Sequence, residues 1–310
     1  MNIEKIVTNR LILNEIQEKD HEFIFMLVNS PGWLKFIGDR KIRTTEDAIA
    51  YIRKIGDHPQ ITYWTVTQKP DAQPVGIITL VKRGYLEYYD IGFAFLPEYT
   101  GRGYASEATT AVLQILPADL ISDKILAVTT QENSSSVKLL EKLNFTYETA
   151  ISEDGKTLLQ YALSSDEIQI GKLVGAFFGM FDNSSGEPDF SLMDKICTSS
   201  VSIIKKSGTQ TEMYGPESFV EPRRKILTDG TLQEFSEFEV SGETKIAGNI
   251  AHRYSKYRKK GWLKGNLYEG TGHKFFHLIK NEDGWKIAHV LWEDDDHKDN
   301  IVILKCSRGF

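Results

Sequence analysis

Phe95-Leu96-Pro97-Glu98-Tyr99-Thr100-Gly101-Arg102-Gly103-Tyr104-Ala105-Ser106-Glu107-Ala108 is the stretch whose reading decides the fold. It continues the apolar run Ile91-Gly92-Phe93-Ala94-Phe95-Leu96, which reads as the end of a buried strand over Tyr85–Leu96. Pro97 has no backbone N–H and stops that strand. Gly101 and Gly103 permit a tight turn with no Cβ in the way. Beyond them Ala105, Ala108, Ala111, Val112, Leu113 and Leu116 recur at helical spacing. A strand, a glycine turn and a helix start leave bare N–H groups in front of a helix dipole, an arrangement that binds phosphate. The nucleotide P-loop is excluded, because Tyr104-Ala105 stand where Lys-Ser/Thr would be needed. The dinucleotide fingerprint is excluded too, because Ser106 replaces its third glycine.

Length and composition bound the rest. A chain of 310 residues predicts two domains. Apolar residues at 41% and charged residues at 26% are those of a soluble globular protein. No apolar run is long enough for a bilayer, and Met1-Asn2-Ile3-Glu4-Lys5 lacks a signal-peptide pattern. Cys197 and Cys306 have no metal-ligand spacing and read as reduced thiols of a cytoplasmic protein. The net charge is −6 and neither half is basic, which argues against nucleic acid as a partner.

Around the glycine turn the chain alternates strands and helices. Strands are expected near residues 8–13, 61–66, 74–80 and 124–129, with two more near 147–151 and 156–163. Helices are expected over 21–28, after Thr44, and after Asn133-Ser134-Ser135-Ser136 as far as Lys142-Leu143-Asn144-Phe145. The glycine stretch, together with this Asn-x-x-Ser helix ending in Lys-Leu-Asn-Phe, resembles the GNAT acetyltransferases, most closely the branch that includes the ribosomal-protein N-terminal acetyltransferases. The resemblance covers about residues 8–165. Thr100 replaces the Gln/Arg usual in the family's loop, and Asn144 replaces a glycine at a helix end, where asparagine tolerates the left-handed conformation.

The resemblance implies an α+β fold with a mixed, largely antiparallel sheet flanked by helices, and acetyl-CoA as co-substrate without a metal. The pantetheine arm would lie between splayed strands, held by backbone groups of Phe95 and Leu96, with the N–H near Leu96 facing the thioester oxygen. The amides of Gly101, Arg102, Gly103, Tyr104 and Ala105 would hold the pyrophosphate, and Asn133 would contact the pantetheine or its phosphate side. Acetyl transfer to an amine also needs a proton acceptor for the amine and an acid for the departing thiolate. Ser136 is the candidate acid, or else a helix cap. Glu87 and Asp90 on the strand before the loop are the candidate bases, or else a solvated strand end. Glu107 reads as a first-turn carboxylate favoured by the dipole. Trp33, Phe36 and Tyr63 line an acceptor pocket or belong to the core. A chain that senses acyl-CoA without turnover is the rival reading.

Ser164-Ser165-Asp166 marks a boundary, dividing the chain into 1–165 and 166–310. The second part reads as helices over 168–181, 190–196 and 218–227. Strands over 201–204, 232–240, 246–258, 263–278 and 285–292 complete it, making an α+β domain with a curved antiparallel sheet. Gly248-Asn249-Ile250-Ala251-His252-Arg253-Tyr254, Gly272-His273-Lys274-Phe275-Phe276-His277 and the hairpin signal Asp283-Gly284 before Trp285 resemble the SnoaL-like, ketosteroid-isomerase-like superfamily, a cone-shaped fold. Members act as isomerases or dehydratases, or only bind ligands or dimerise, so a homodimer through this domain is one arrangement implied. Fold does not choose among these. Glu212, Tyr214, His252 and Tyr254 could supply isomerase groups, and catalysis there would imply a small apolar ligand in the cone. His277 is expected opposite His289. The basic run Arg253, Lys256, Arg258, Lys259, Lys260 and Lys264 and the acidic run Glu293–Asp296 read as solvated hairpin ends, as mutually attracting segments, or as a site for an anionic ligand.

Overall fold

The computed structural model describes residues 5–117 and 120–295. Cys306 and Asp296 lie outside the described residues. The chain forms two compact units, Met1–Ile168 and Gln169–Phe310. Among the described residues no helix is long and apolar enough to cross a membrane.

The first unit begins with β1 (Ile6–Val7), β2 (Leu11–Glu15), α1 (His21–Val28), α2 (Pro31–Phe36) and α3 (Thr45–Gly56). The strands β3 (Ile61–Gln68), β4 (Pro74–Val81) and β5 (Asp90–Phe95) follow, then α4 (Tyr104–Ile115). It closes with β6 (Lys124–Thr129), α5 (Ser134–Lys142), β7 (Thr146–Glu153) and β8 (Lys156–Ser164). The eight strands form one sheet in the order β1-β2-β3-β4-β5-β6-β8-β7, in which only β5 and β6 run parallel.

Local signals set the helix starts. Thr44 accepts from the Asp47 N–H while Asp47 accepts from the Thr44 N–H, a reciprocal cap. Pro31 opens α2, because its missing N–H costs nothing at a first helical position. One sheet face buries Ile24, Leu27, Trp33, Ile52, Ile77 and Leu96 against α1–α3. The other buries Val66, Ile78, Ile91, Val112, Ile125 and Leu140 against α4 and α5.

The second unit contains α6 (Ser165–Gly179), whose first turns belong to the preceding unit, α7 (Leu192–Ile196), β9 (Cys197–Ser207), β10 (Gln210–Tyr214) and α8 (Pro216–Thr228). Four long strands follow: β11 (Leu232–Ala247), β12 (Ile250–Leu263), β13 (Asn266–Asn281) and β14 (Gly284–Asp294). The six-stranded sheet has the order β10-β9-β14-β13-β12-β11, with β14 and β9 parallel. Strand boundaries differ from the sequence reading at two hairpins. The chain turns at Gly248 (φ 61°), and at Lys264 and Gly265 (φ 51° and 78°), instead of running through residues 246–258 and breaking before 263. Left-handed backbone at these positions makes two-residue turns, so both flanking strands extend to them.

Candidate active site

Two of the central strands part company. β5 stays in register with β4 as far as Phe95 opposite Gly76, and β6 stays with β8 as far as Thr129 opposite Leu159. Between β5 and β6 the register holds a single pair, Asp90 with Leu126. At that pair the Leu126 N–H donates to the Tyr89 carbonyl, 2.8 Å. Beyond it β5 has an open edge. The Leu96 N–H donates to the Val75 carbonyl at 3.0 Å, so it points to β4 and not into the gap. This corrects the expectation for Leu96. Strand groups alternate between edges, so the neighbouring N–H and C=O of Phe93 and Phe95 are the ones that face the gap. Gly76 leaves room for the Phe95 ring, since a Cβ there would lie 2.5 Å from its Cγ.

The glycine turn lies directly after this open strand. Gly101 (φ 73°) and Gly103 (φ 79°) are left-handed, and Gly103 is the residue before the first turn of α4. Any side chain at Gly103 would be strained. A network missed at the sequence level holds the turn. Glu107 accepts from Thr8 Oγ1 (2.6 Å), the Arg10 N–H (2.9 Å) and Arg10 Nε (2.7 Å). Arg10 Nη1 then donates to the Arg102 carbonyl at 2.9 Å, and its guanidinium lies 4.6 Å from the Tyr104 ring centroid. Tyr104 donates to Gln68 at 3.2 Å. Glu107 is therefore more than a dipole-favoured carboxylate: it ties the loop helix to the start of β2. No spacing rule connects residues 97 positions apart, which is why the pair was not legible.

At the other strand, Asn133 is the cap of α5, its Oδ1 accepting from the Ser136 N–H at 3.2 Å. The Asn133 amide nitrogen and the second lone pair of that oxygen are left for a ligand. Ser136 is not the capping residue, and it is buried. Asn144 takes the left-handed conformation, φ 66°, as its helix-end position requires.

The candidate bases separate. Glu87 is not on β5; it sits exposed in the connection before it, where its carbonyl accepts from Lys82 Nζ. Asp90 opens β5 and is not a solvated strand end, being 1% exposed. Its Oδ2 accepts from Arg83 Nε at 2.6 Å and its Oδ1 from the Val128 N–H at 3.1 Å. Burial pushes its carboxyl up to about 6, while the Arg83 guanidinium and the Val128 N–H oppose the rise. Asp90 shares its sheet face with Ala94 and Leu96, the face covered by α1–α3. There Trp33 is core, Phe36 is half-buried, and the Tyr63 and Tyr51 hydroxyls lie 3.4 Å apart.

In the second unit the expected groups and the buried ones differ. Glu212 and His252 are exposed. Tyr254 stacks on His273 with its hydroxyl 2.6 Å from Nδ1, and alternation puts His252 and Tyr254 on the sheet face opposite the core residues Ala251 and Tyr257. His252, His277 and His289 line up across β12, β13 and β14, the rings of the last two stacked at 5.2 Å. Among the described residues no three such side chains are grouped to hold a metal ion. The core face carries three ion pairs beside its apolar and aromatic cluster. Lys274 pairs with Glu237 (2.5 Å), Lys259 with Asp294 (2.6 Å), and Arg253 with Glu239 (2.6 Å). Tyr257 donates to Asp294, and Lys274 Nζ lies 4.2 Å from the Tyr257 ring. Burial pushes the Lys274 amine down. Arg253 and Lys259 are thus buried, not solvated hairpin ends, because alternate residues of β12 point into the core. Gly270 and Gly272 open the space for Lys259 and Tyr257.

The first unit thus combines an open parallel strand pair with a glycine turn at a helix start. Residues 10–146 match the family model described as the acetyltransferase (GNAT) domain. The uncharacterized N-acetyltransferase YnaD of Bacillus subtilis (strain 168) is 30% identical over 139 residues, covering 44% of this chain and 80% of that protein. YoaA of the same organism, also an uncharacterized N-acetyltransferase, is 26% identical over 144 residues, with the same coverage of both chains. The GNAT-family acetyltransferase structure from Bacillus anthracis is 25% identical, covers 52% of this chain and 98% of that one, and has a TM-score of 0.44. The chain belongs to the GNAT acetyltransferase family and is an acetyl-CoA-dependent acyltransferase.

Proposed function

We propose that the first unit, about residues 1–165, is the catalytic domain and moves the acetyl group of acetyl-CoA directly to an amine within a ternary complex. The carrying observation is the parting of β5 and β6 immediately before the glycine turn. The pantetheine arm extends along the open edge of β5, where Phe93 and Phe95 offer strand-type hydrogen bonds. The amides from Gly101 to Ala105 take the pyrophosphate at the start of α4. The amine nitrogen attacks the thioester carbonyl carbon. The oxygen that becomes negative is met by an N–H of that open edge. The C–S bond breaks and Ser136 gives the thiolate its proton. Of the two carboxylates, Glu87 is the exposed one and takes the amine proton through a water.

The acceptor is a small-molecule amine or a protein N-terminus, as in the ribosomal-protein branch the loop resembles. The second unit is an accessory domain of SnoaL-like type that binds a ligand or pairs two chains, in a cytoplasmic protein. Its support is the combination of three helices, α6, α7 and α8, with one six-stranded sheet.

The test is a titration of the full chain with acetyl-CoA, then thiol release over a panel of amines and N-terminal peptides. Ser136→Ala and Glu87→Gln should each lower turnover with acetyl-CoA affinity retained. Tight binding with no release across the panel, unchanged in both variants, would favour an acyl-CoA sensor.

A further inference from the structure

The parting of β5 and β6 needs a cause, because each strand is regular toward its other neighbour. A parallel ladder would continue past the Asp90–Leu126 pair with the Val128 N–H donating to the Ile91 carbonyl. That donor goes elsewhere: it bonds Asp90 Oδ1 at 3.1 Å. The side chain of the first β5 residue has taken the place of the next backbone rung.

We infer that Asp90 is a positioning residue that holds β5 and β6 apart, its carboxylate capping the Val128 N–H so that the strands cannot close over the coenzyme A cleft. The inference rests on the cleft reading above. Three observations carry it. The carboxylate lies at the vertex of the gap, in the only residue pair that joins the two strands. Both oxygens are engaged, one by the opposite strand and one by Arg83 from the β4–β5 connection, which fixes its direction. And the group is 1% exposed. A buried ion pair is weak as a stabiliser compared with apolar packing. An apolar residue here would leave the Val128 N–H either unsatisfied or bonded to Ile91, which would zip the cleft by one rung. The neighbouring Gly92 has no side chain to compete for that space, and a Cβ on it would meet Thr79 Oγ1 at 2.7 Å.

This role differs from that of a base. A base must be a carboxylate; a cap only needs an oxygen in the same place, which an amide supplies. Calorimetric titration of the full chain with coenzyme A, for wild type, Asp90→Asn and Asp90→Ala, separates them. The expected result is that Asp90→Asn binds within threefold of wild type while Asp90→Ala loses at least tenfold. Retention of full affinity by Asp90→Ala would overturn the inference, as would equal losses in both variants. A wild type that binds no coenzyme A would defeat the cleft reading itself, and the Val128 amide then tests the cap independently. In the unmodified protein its proton resonance should move with the titration of the Asp90 carboxyl carbon. A Val128 proton indifferent to that titration would overturn the cap, even if Asp90→Ala fails to fold.

Discussion

Arg10→Ala isolates the network that holds the glycine turn. The substitution removes the pair between Arg10 Nε and Glu107, the bond from Nη1 to the Arg102 carbonyl, and the contact with the Tyr104 ring. The backbone N–H of Arg10 and the Thr8 hydroxyl still reach Glu107. The Arg10 side chain is 42% exposed, so the ion pair contributes only about 0–1 kcal/mol. The bond to the Arg102 carbonyl adds about 0.5–1.5 kcal/mol, and the ring contact at a wet site about 0.5 kcal/mol. These terms share one side chain and do not simply add; a loss of about 1–2 kcal/mol is expected. For a unit of this size that lowers the midpoint of thermal unfolding by about 3–6 °C. Part of the loss falls on the loop itself, whose ordering must then come from the ligand. About 1 kcal/mol of that kind weakens coenzyme A binding roughly fivefold. The assay is calorimetric affinity for coenzyme A beside steady-state kinetics. KM for acetyl-CoA should rise three- to tenfold, with kcat changed less than twofold. A variant that loses stability but keeps its affinity would refute the claim that Arg10 shapes the loop, and a fall in kcat alone would place Arg10 elsewhere in the mechanism.

Gly103→Glu should abolish coenzyme A binding, since it puts a strained left-handed residue and a like charge at the phosphate loop; calorimetry reads the loss, and circular dichroism should show both units folded. Asp90 predicts a pH dependence. Its folded carboxyl titrates near 6, above its ordinary value of 3.8, so the folded state binds the proton more tightly between those values. The stability it contributes is complete below pH 4 and disappears as pH rises through 6, by about 3 kcal/mol at roughly 1.4 kcal/mol per unit. Unfolding of Asp90→Asn should lack that slope, and parallel curves for the two proteins from pH 4 to 7 would contradict it. In the second unit, Lys274→Met leaves Glu237 buried without its cation and should cost about 3–5 kcal/mol. The double variant with Glu237→Leu should recover most of that in a denaturant titration.

The alternation of strands and helices was legible because apolar periodicity is local. Each residue's face follows from its neighbours within a turn or two. The glycine turn was legible for the same reason: the left-handed positions Gly101 and Gly103 are requirements of their own backbone. Family membership followed from two such local motifs in the right order. The candidate site was only half legible. Leu96 as a donor to β4 and Glu87 as a residue before the strand each depended on where a strand begins or which edge a group faces. A one-residue change in that placement reverses the answer.

What the sequence by itself determined is most of the elements and the glycine turn, because both arise from residues a few positions apart. Only the tertiary structure decided which charges are buried and what they hold. Arg10 meets Glu107, Asp90 meets Val128, and Lys274 meets Glu237, across separations of 97, 38 and 37 residues. A lone Asp at a strand start or a Lys on a β-hairpin reads as solvated when only its neighbours are known. Desolvation is set by what the fold stacks above it, and that is a property of the whole sheet and its helices.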